Sequence, residues 1–253
     1  MMRRYFKDHS YKQKTGQVLF HGGFPSIDED YFEWIDVLEA VEDAIDELVV
    51  VELGAGFGKW SVAAACAART RRPDLKVKLV TVEAEPTHFE WMKLHFSDNG
   101  LDPTSHRLIE SPVNGTGGKV SFVIGHPQEW YGQSIIPSGS RFGNWPEGKE
   151  VQMTAITLEE AVDGVGTIDL LDMDVQGVEA EIITGSVSLL NSRVRRIHIG
   201  THGHNIEDTI YRTLINEGWF CTRAYRASST VRTEFGDVFF LDGVQSWLNP
   251  RLF

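Results

Sequence analysis

The feature that most constrains the fold of this sequence is its alternation of short apolar segments with longer amphipathic ones. Strand-like runs lie at 48–53, 76–83, 106–111, 118–124, 168–174 and 194–200, and the first of them is rich in β-branched residues. Runs with helical apolar spacing lie at 26–47, 59–72, 85–100, 177–190 and 205–218. Alternating strands and helices are typical of a parallel sheet covered by helices on both faces. We therefore predict an α/β fold with a mostly parallel twisted sheet.

The two ends of the chain depart from this alternation. Ser26 is the predicted N-cap of the first helix, and residues 1–47 are expected to form an N-terminal helical extension packed on the core. Segments 219–225 and 236–242 are predicted to pair as a C-terminal antiparallel hairpin. Because we find neither repeats nor a low-complexity linker, we expect a single domain overall, with 48–253 as its main part.

Composition and charge argue against several classes of function. The formal net charge of −12 across 253 residues argues against general nucleic-acid binding, which needs a basic surface. No apolar run approaches the ~20 residues of a membrane span, and the basic first residues lack the apolar core of a signal peptide. The two cysteines, Cys66 and Cys221, form no paired motif. These features predict a cytoplasmic protein and leave a homo-oligomer open.

A glycine-rich turn after the first strand is the first candidate binding site. The segment VVVELGAGFGKW has the pattern E-x-G-x-G-x-G, formed by Glu52, Gly54, Gly56 and Gly58. Glycines let the backbone approach a ligand closely, and a helix N-terminus favours negative or polar groups. A P-loop is excluded because Trp60 stands where Ser or Thr is required, and a dinucleotide motif is weakened because its third glycine would be Lys59. The spacing resembles motif I of S-adenosylmethionine (SAM)-dependent methyltransferases.

Polar residues follow the next two strands. Glu83 ends the second strand, where a carboxylate can accept hydrogen bonds from both hydroxyls of an adenosine ribose. Its neighbour Glu85 shares that face only if the strand continues, so Glu83 is preferred. Glu110 and Ser111 follow the third strand, where they could contact an adenine. Since NAD would satisfy Glu83 equally, these residues leave SAM and NAD as alternatives.

Two aspartates, one residue apart, end the strand-like run IDLLDMD. In a strand, Asp172 and Asp174 face the same side of the sheet. Two carboxylates so close raise each other's pKa and cost stability unless a cation lies nearby. Arg195 or Arg196 could be that cation for Asp172, in a purely structural pair. Glu179 falls in the first turn of the next helix, where helix capping and a functional role are both open.

The surrounding segment carries a specific family resemblance. TLEEAVDGVGTIDLLDMDVQGVEAEIITGS is similar to the hallmark segment of the FkbM family of methyltransferases, which typically reads I-D-L-L-K-I-D-V-E-G-x-E. The matching positions are Ile168 to Leu171, Asp174, Val175, Gly177 and Glu179. VEAEPTHFEWMKLHF and SPVNGTGGKVSFVI resemble the second- and third-strand segments of that family.

This resemblance spans about residues 48–190 and has several implications. It implies a Rossmann-like class I methyltransferase fold, with 48–253 as the methyltransferase domain. It also implies SAM as the methyl donor. The acceptor it implies is a hydroxyl of a sugar, a glycan or a natural product.

Two residues depart from the family pattern. The usual lysine is Asp172 here, and the usual glutamate is Gln176. An Asp–Asp pair in place of a Lys–Asp pair implies that the site holds a divalent cation, borrows another cation, or keeps one carboxyl protonated. Because hard cations such as Mg²⁺ prefer carboxylate oxygens, Asp172 and Asp174 are candidate Mg²⁺ ligands.

Three histidines follow the next strand in the segment HIGTHGHN. A hydroxyl that accepts a methyl group must lose its proton, and a histidine with a near-neutral pKa is a natural base. His202 is the predicted base, with Asp174 orienting the acceptor. His198 is predicted to orient the site or to pack at the strand end, and His204 to act at a helix N-terminus. Alternatively, these histidines and Asp174 could bind a transition metal.

The segment 125–150 fits neither periodicity and contains five glycines, three prolines and four aromatic residues. A loop this long is usually functional or disordered, and its aromatic content favours a loop that covers substrate. Its aromatic residues could stack on a sugar or a polyketide, or could only pack the loop: Trp130, Tyr131, Phe142 and Trp145.

Two other functions stay open from the sequence. One is an NAD-dependent oxidoreductase, against which the missing third glycine counts. The other is a non-catalytic SAM- or nucleotide-binding module, against which the cluster of histidines and aspartates counts, because binding alone does not require it.

Overall fold

Strands and helices alternate as expected in the computed structural model, which describes residues 26–128, 131–136 and 148–253. The strands are β1 (Glu47–Leu53), β2 (Lys76–Glu83), β3 (Arg107–Glu110), β4 (Gly118–Ile124), β5 (Lys149–Ala155), β6 (Leu170–Met173), β7 (Arg196–Thr201), β8 (Phe220–Tyr225), β9 (Ser229–Thr233), β10 (Gly236–Phe240) and β11 (Gly243–Leu248). The helices are α1 (Glu29–Asp43), α2 (Lys59–Arg71), α3 (Pro86–Asp98), α4 (Leu158–Ala161), α5 (Glu179–Gly185), α6 (Val187–Arg193) and α7 (His204–Asn216).

A seven-stranded sheet with the order β3-β2-β1-β6-β7-β11-β8 lies at the centre of the described chain. The strands from β3 to β7 in this order pair in parallel. Within this sheet, β11 runs antiparallel to both of its neighbours. The chain moves outward from β1 to β3 and then returns to the other side of β1 with β6. Loops diverge at such a switch point, which is where open α/β sheets bind ligands.

Helices cover both faces of the sheet, as predicted. Buried side chains of α1, α2 and α3 pack with Leu48 and Val50 on one face. Buried side chains of α4 to α7 pack with Val49 and Val51 on the other face. Because successive strand residues point to opposite faces, burial on both sides explains why β1 is apolar at nearly every position. No helix in the described ranges combines the length and apolar character needed to cross a bilayer.

The C-terminal strands form an antiparallel hairpin, but with partners that differ from the expected ones. The hairpin joins β9 to β10, whereas β8 pairs with β11 in the main sheet. Segments 219–225 and 236–242 therefore contain strands that do not pair with each other. β11 is largely buried on both faces and suits an interior position, whereas alternate residues of β10 are exposed. The hairpin packs on α1 through Phe32, Val238 and Phe240.

Three local features also differ from expectation. Asp28, not Ser26, is the N-cap of α1, because its carboxylate accepts the Tyr31 N–H at 3.3 Å. The predicted helix 177–190 is two helices, α5 and α6, which meet at Ser186. β5 pairs with β4 and is an additional strand that was not expected, although its residues VQMTA alternate between apolar and polar.

Candidate functional site

A cavity of about 420 Å³ opens at the carboxyl ends of β1, β2 and β6, at the switch point of the sheet. It brings together most of the residues singled out in the sequence: Glu52, Gly54, Gly56, Glu83, Ser111, Asp172 and Asp174. Four other predicted site residues lie outside its lining: Gly58, Glu110, His198 and His202.

The glycine-rich turn has a backbone conformation that requires glycine. Gly54, Gly56 and Gly58 have φ angles of +77°, +54° and +73°, in the left-handed region that other residues disfavour. A Cβ on Gly54 would lie 1.8 Å from the carbonyl oxygen of Asp174. Gly54 therefore allows the turn to approach the end of β6. Gly58 precedes α2 and faces the side chain of Met92, so its role is packing.

Glu83 is held at the end of β2 with its carboxylate toward the cavity. Its Oε2 accepts the Gly56 N–H at 2.6 Å, and its Oε1 accepts the Glu85 N–H at 2.7 Å. Burial raises the pKa of Glu83 to about 7, against the opposing effect of these two hydrogen bonds. Glu85 instead caps α3 by accepting the His88 N–H. The structure thus separates the two glutamates, and Glu83 alone of this pair faces the cavity.

Ser111 and Glu110 have different environments. The Ser111 N–H donates to the Glu83 carbonyl oxygen at 3.0 Å, and the Ser111 hydroxyl donates to backbone carbonyl oxygens. Ser111 lines the cavity together with Pro112 and Val113. Glu110 is exposed, so the expected contact of Glu110 with a bound adenine is not supported by its position.

Glu52 supports the start of α2. Its two carboxylate oxygens accept the N–H groups of Trp60 and Ser61 at 3.2 and 2.8 Å. Burial and the neighbouring charge of Asp172 raise the pKa of Glu52 to about 8. Glu52 therefore holds the glycine-rich turn against the helix, in addition to lining the cavity.

Asp172 lies in a polar row that crosses the sheet. In the register of the strands, Asp172 is level with Glu52 on β1 and with His198 on β7. Asp172 is 2% exposed, and burial raises its pKa to about 6. A structural pair with Arg195 or Arg196 is not formed, because those guanidinium groups bind other carboxylates. Arg195 pairs with Asp169, and Arg196 pairs with Asp36, Glu39 and Asp43.

Two acidic residues of α1, which the sequence analysis missed, lie over this row. Glu33 lines the cavity and hydrogen-bonds Asp172. Burial and the Asp172 carboxylate raise the pKa of Glu33 well above its usual value. Asp36 is fully buried and accepts a hydrogen bond from His198 Nδ1 at 2.7 Å. The sequence signal that could have revealed Asp36 is a charged residue at a core position of the helical pattern.

Asp174 belongs to a separate group beyond the end of β6. His202 Nδ1 hydrogen-bonds Glu179 at 2.7 Å, and His202 Nε2 lies 3.3 Å from Asp174 Oδ1. Burial lowers the pKa of His202, but Glu179 and Asp174 outweigh it and raise that pKa to about 9. His202 therefore lacks the near-neutral pKa expected of a base, and it lies behind Asp174 rather than in the cavity wall. Glu179 both accepts the Gly177 N–H and orients His202.

The remaining predicted residues lie at the edges of the site. His204 is the first residue of α7, as expected, and its Nε2 contacts the Ala227 carbonyl oxygen. Tyr131 lines the cavity and stacks on His88, with ring centroids 4.2 Å apart and an interplanar angle of 5°. Trp130, Phe142 and Trp145 lie outside the described residues.

Comparison with known proteins identifies the family of this chain. The Methyltransferase FkbM domain matches residues 52–223. A protein of Jannaschia sp. (strain CCS1) described as "Putative methyltransferase" is 28% identical over 194 residues, which are 75% of this chain and 68% of that protein.

Two solved structures have a similar course of the chain. The precorrin-6y C5,15-methyltransferase of Geobacter metallireducens GS-15 is 13% identical, with a TM-score of 0.44 over 85% of this chain and 86% of that one. The methyltransferase FkbM of Methylobacillus flagellatus KT is 9% identical, with a TM-score of 0.48 over 80% of this chain and 44% of that one. Since the domain match covers most of the chain and the sheet has the expected topology, the Rossmann-like class I methyltransferase fold is confirmed, and this chain belongs to the FkbM family of methyltransferases.

Proposed function

We propose that the protein binds SAM in the cavity at the switch point and transfers its methyl group to a hydroxyl of a small-molecule or glycan acceptor. The observation that carries this proposal is the pairing of the left-handed glycine turn with Glu83 at the end of the neighbouring strand. Family membership supports methyl transfer rather than the hydride transfer of an NAD-dependent enzyme.

The residues around the cavity fit SAM. Each carboxylate oxygen of Glu83 accepts one backbone hydrogen bond and keeps a second lone pair, so Glu83 can still accept the two ribose hydroxyls. Ser111, Pro112 and Val113 provide a wall next to Glu83 for the adenine. Gly56 has a φ of +54°, which disfavours any other residue, and its backbone forms part of the cavity wall next to Tyr131.

Asp174 is the residue that we assign to the acceptor. When bound, SAM supplies an electrophilic methyl group. The acceptor hydroxyl must lose a proton as it attacks, and the half-exposed carboxylate of Asp174 lines the cavity. His202, charged and held by Glu179, positions Asp174 through their ion pair. We therefore assign the role of base to Asp174 and a positioning role to His202, which replaces the expectation that His202 is the base.

Several sequence-based expectations stay proposals. These are a sugar, glycan or natural-product acceptor, a cytoplasmic location, homo-oligomer formation, and the division into an extension (1–47) and a methyltransferase domain (48–253). The segment 125–150 stays the proposed cover of the acceptor. Its aromatic residue Tyr131 lies within the described part of the chain, where it stacks on His88.

Calorimetric titration with S-adenosylhomocysteine tests cofactor binding without an acceptor. We expect micromolar affinity for the wild type and at least about tenfold weaker binding for Glu83→Gln, since the amide loses one acceptor oxygen. Glu90→Gln, an exposed change on α3, is the matched control and should bind as the wild type does. No binding by the wild type, or equal binding by Glu83→Gln, would contradict the proposed cofactor site.

Turnover of a panel of hydroxyl acceptors then tests the assigned base. Asp174→Asn should retain affinity for S-adenosylhomocysteine but lose about 10²–10⁴-fold in kcat, the usual contribution of general base catalysis. Full turnover by Asp174→Asn would refute this role while leaving the cofactor site intact.

A further inference from the structure

Three potential metal ligands from distant parts of the chain meet beneath the cavity. They are Glu33 on α1, Asp172 on β6 and His198 on β7. One ligand atom from each lies within 4.8 Å of the other two. Glu33 and Asp172 also line the cavity, whereas His198 lies deeper. This geometry brings two carboxylates and one imidazole around a single point at the floor of the cavity.

Asp172 has an unsatisfied oxygen at this point. Its Oδ1 is buried and receives no hydrogen bond from an N–H or hydroxyl group of the described residues. The nearby basic groups bind other carboxylates and give Asp172 no hydrogen bond. Lys59 pairs with Asp30 at 2.5 Å, and Arg196 pairs with the carboxylates of α1. The hydrogen bond between Asp172 and Glu33 requires these two carboxyls to share one proton. A bound cation would replace that proton and would also satisfy the buried Oδ1, which is costly to leave without a partner.

His198 is oriented as metal-binding histidines usually are. Its Nδ1 lies 2.7 Å from Asp36 Oδ2. Asp36 also accepts hydrogen bonds from the hydroxyl of Ser246 and from the guanidinium of Arg196, so it pairs with a cation as a carboxylate. Because an ionised carboxylate can only accept, Nδ1 of His198 carries the proton. Nε2 is then the nitrogen available to a metal, in the carboxylate–histidine–metal arrangement that fixes ring orientation.

A second group of the same residue types can balance its charges without a metal. In the group of Asp174, Glu179 and His202, Nδ1 of His202 bonds Glu179, and Nε2, which has no hydrogen-bond partner among the described residues, lies 3.3 Å from Asp174 Oδ1. A charged imidazole in this position neutralises the two carboxylates through its ion pairs with them. The sequence predicted Asp172 and Asp174 as ligands of one metal, but the structure places them in two separate groups. The group of Glu33, Asp172 and His198 is the candidate metal site.

We propose that Glu33, Asp172 and His198 bind one divalent transition-metal ion at the floor of the cavity. An imidazole ligand favours ions such as Zn²⁺ and Mn²⁺ over Mg²⁺, which prefers oxygen ligands alone. Three protein ligands leave coordination positions open on the cavity side. If the proposed function holds, an acceptor hydroxyl bound there would lose its proton to Asp174 more easily. The metal site itself does not depend on methyl transfer.

Titration of the metal-stripped full chain with ZnCl₂, MnCl₂ and MgCl₂ tests the site. We expect one equivalent of Zn²⁺ or Mn²⁺ to bind, and Mg²⁺ to bind at least about tenfold more weakly. Loss of a partner that only orients a ligand costs about 10–100-fold in metal affinity, so Glu33→Gln and Asp172→Asn, which each remove a ligand, should weaken binding by at least that much. Glu42→Gln, an exposed change on the same helix, is the matched control and should leave the affinity unchanged. Circular dichroism melting of each variant shows whether it is folded, and Glu33→Gln keeps the test valid if Asp172→Asn unfolds.

Two results would overturn the proposal. One is the absence of saturable binding at millimolar metal. The other is unchanged binding by Glu33→Gln and Asp172→Asn, which would place the metal elsewhere, for example at the group of Asp174, Glu179 and His202. Titration of the same metal-stripped samples with S-adenosylhomocysteine separates the two proposals. Cofactor binding without metal binding refutes only the metal site, and metal binding without cofactor binding refutes only the proposed cofactor site.

Discussion

At the scale of single residues, Gly54 shows how the site depends on the absence of a side chain. Its φ is +77°, and a Cβ would lie 1.8 Å from the Asp174 carbonyl oxygen. Gly164 has a similar φ of +68° but open space around its Cα. The two glycines therefore separate the cost of backbone strain from the cost of a steric collision.

Replacement of each glycine by alanine measures that difference. Gly164→Ala should lower the free energy of unfolding by about 1 kcal/mol, from strain alone. Gly54→Ala should cost at least about 2 kcal/mol more, because the ends of β1 and β6 must move apart. Urea unfolding at one pH gives both values. Equal losses of unfolding free energy would show that the close approach of Gly54 to Asp174 adds no cost.

If Glu83 accepts the ribose hydroxyls as proposed, its pKa should determine how cofactor affinity depends on pH. Its pKa is about 7 in the folded protein, and the ribose hydroxyls need the ionised form as their acceptor. As the pH falls from 8 to 6, protonation should weaken S-adenosylhomocysteine binding about tenfold. This dependence should be absent in Glu83→Gln, which does not titrate. Calorimetry at the two pH values checks it, and a wild-type affinity that does not change with pH would argue against contact between Glu83 and the ribose.

At the scale of elements, α1 is attached to the sheet by a buried charge. Asp36 accepts hydrogen bonds from Arg196 and His198 of β7 and from Ser246 of β11. The contact joins residues that are 160 or more positions apart in sequence. Because these partners are buried, loss of the Asp36 carboxylate leaves the positive charge of Arg196 with fewer negative groups to balance it.

Two variants of α1 test this attachment. Asp36→Ala should lower the free energy of unfolding by about 3–5 kcal/mol, the usual cost of breaking a buried pair. Glu39→Gln, which removes a more exposed partner of the same Arg196, should cost less than about 1 kcal/mol. Urea unfolding of both gives the comparison. Similar costs would mean that burial of Asp36 does not determine how α1 is held.

At the scale of the whole molecule, the cavity concentrates carboxyl groups whose pKa values are raised by burial. The values are about 8 for Glu52, about 7 for Glu83 and about 6 for Asp172. His202 has a raised pKa of about 9. In each case the folded protein holds the proton more tightly than the unfolded chain does. The stability from each group is complete below its unfolded-state pKa and is lost as the pH rises through the folded-state pKa.

The ligand-free protein should therefore become less stable between pH 5 and pH 9. One pKa unit corresponds to about 1.4 kcal/mol, so we expect a loss of about 3 kcal/mol or more over this range. The net charge of −12 acts in the same direction through self-repulsion. Urea unfolding across the pH series measures the loss, and His202→Gln should lack the part between pH 6.5 and 9. Constant or rising stability would contradict the assigned burial of these carboxyls.

Local patterns in the sequence were sufficient to predict the order of strands and helices and one wall of the cavity. The apolar runs predicted β1, β2 and β6 because a strand covered on both faces needs apolar residues at nearly every position. The glycine turn and Glu83 could be found because they directly follow strands whose ends meet at the switch point. Asp174 was found for the same reason, at the end of β6.

Tertiary structure decided which side chains meet across the sheet. Asp172 and Asp174 are neighbours in sequence, but one contacts Glu33 of α1 and the other contacts His202. The pairing of β8 with β11, and the approach of Asp36 to His198 across 162 positions, likewise depend on packing between distant elements. The periodicity of apolar residues indicates only which face of a helix or strand is buried. Which side chains then contact each other depends on the order and register of the strands. The sequence by itself therefore determined the α/β fold and the cavity-lining residues of the glycine turn and of Glu83, and only the tertiary structure decided the partners of the buried acids.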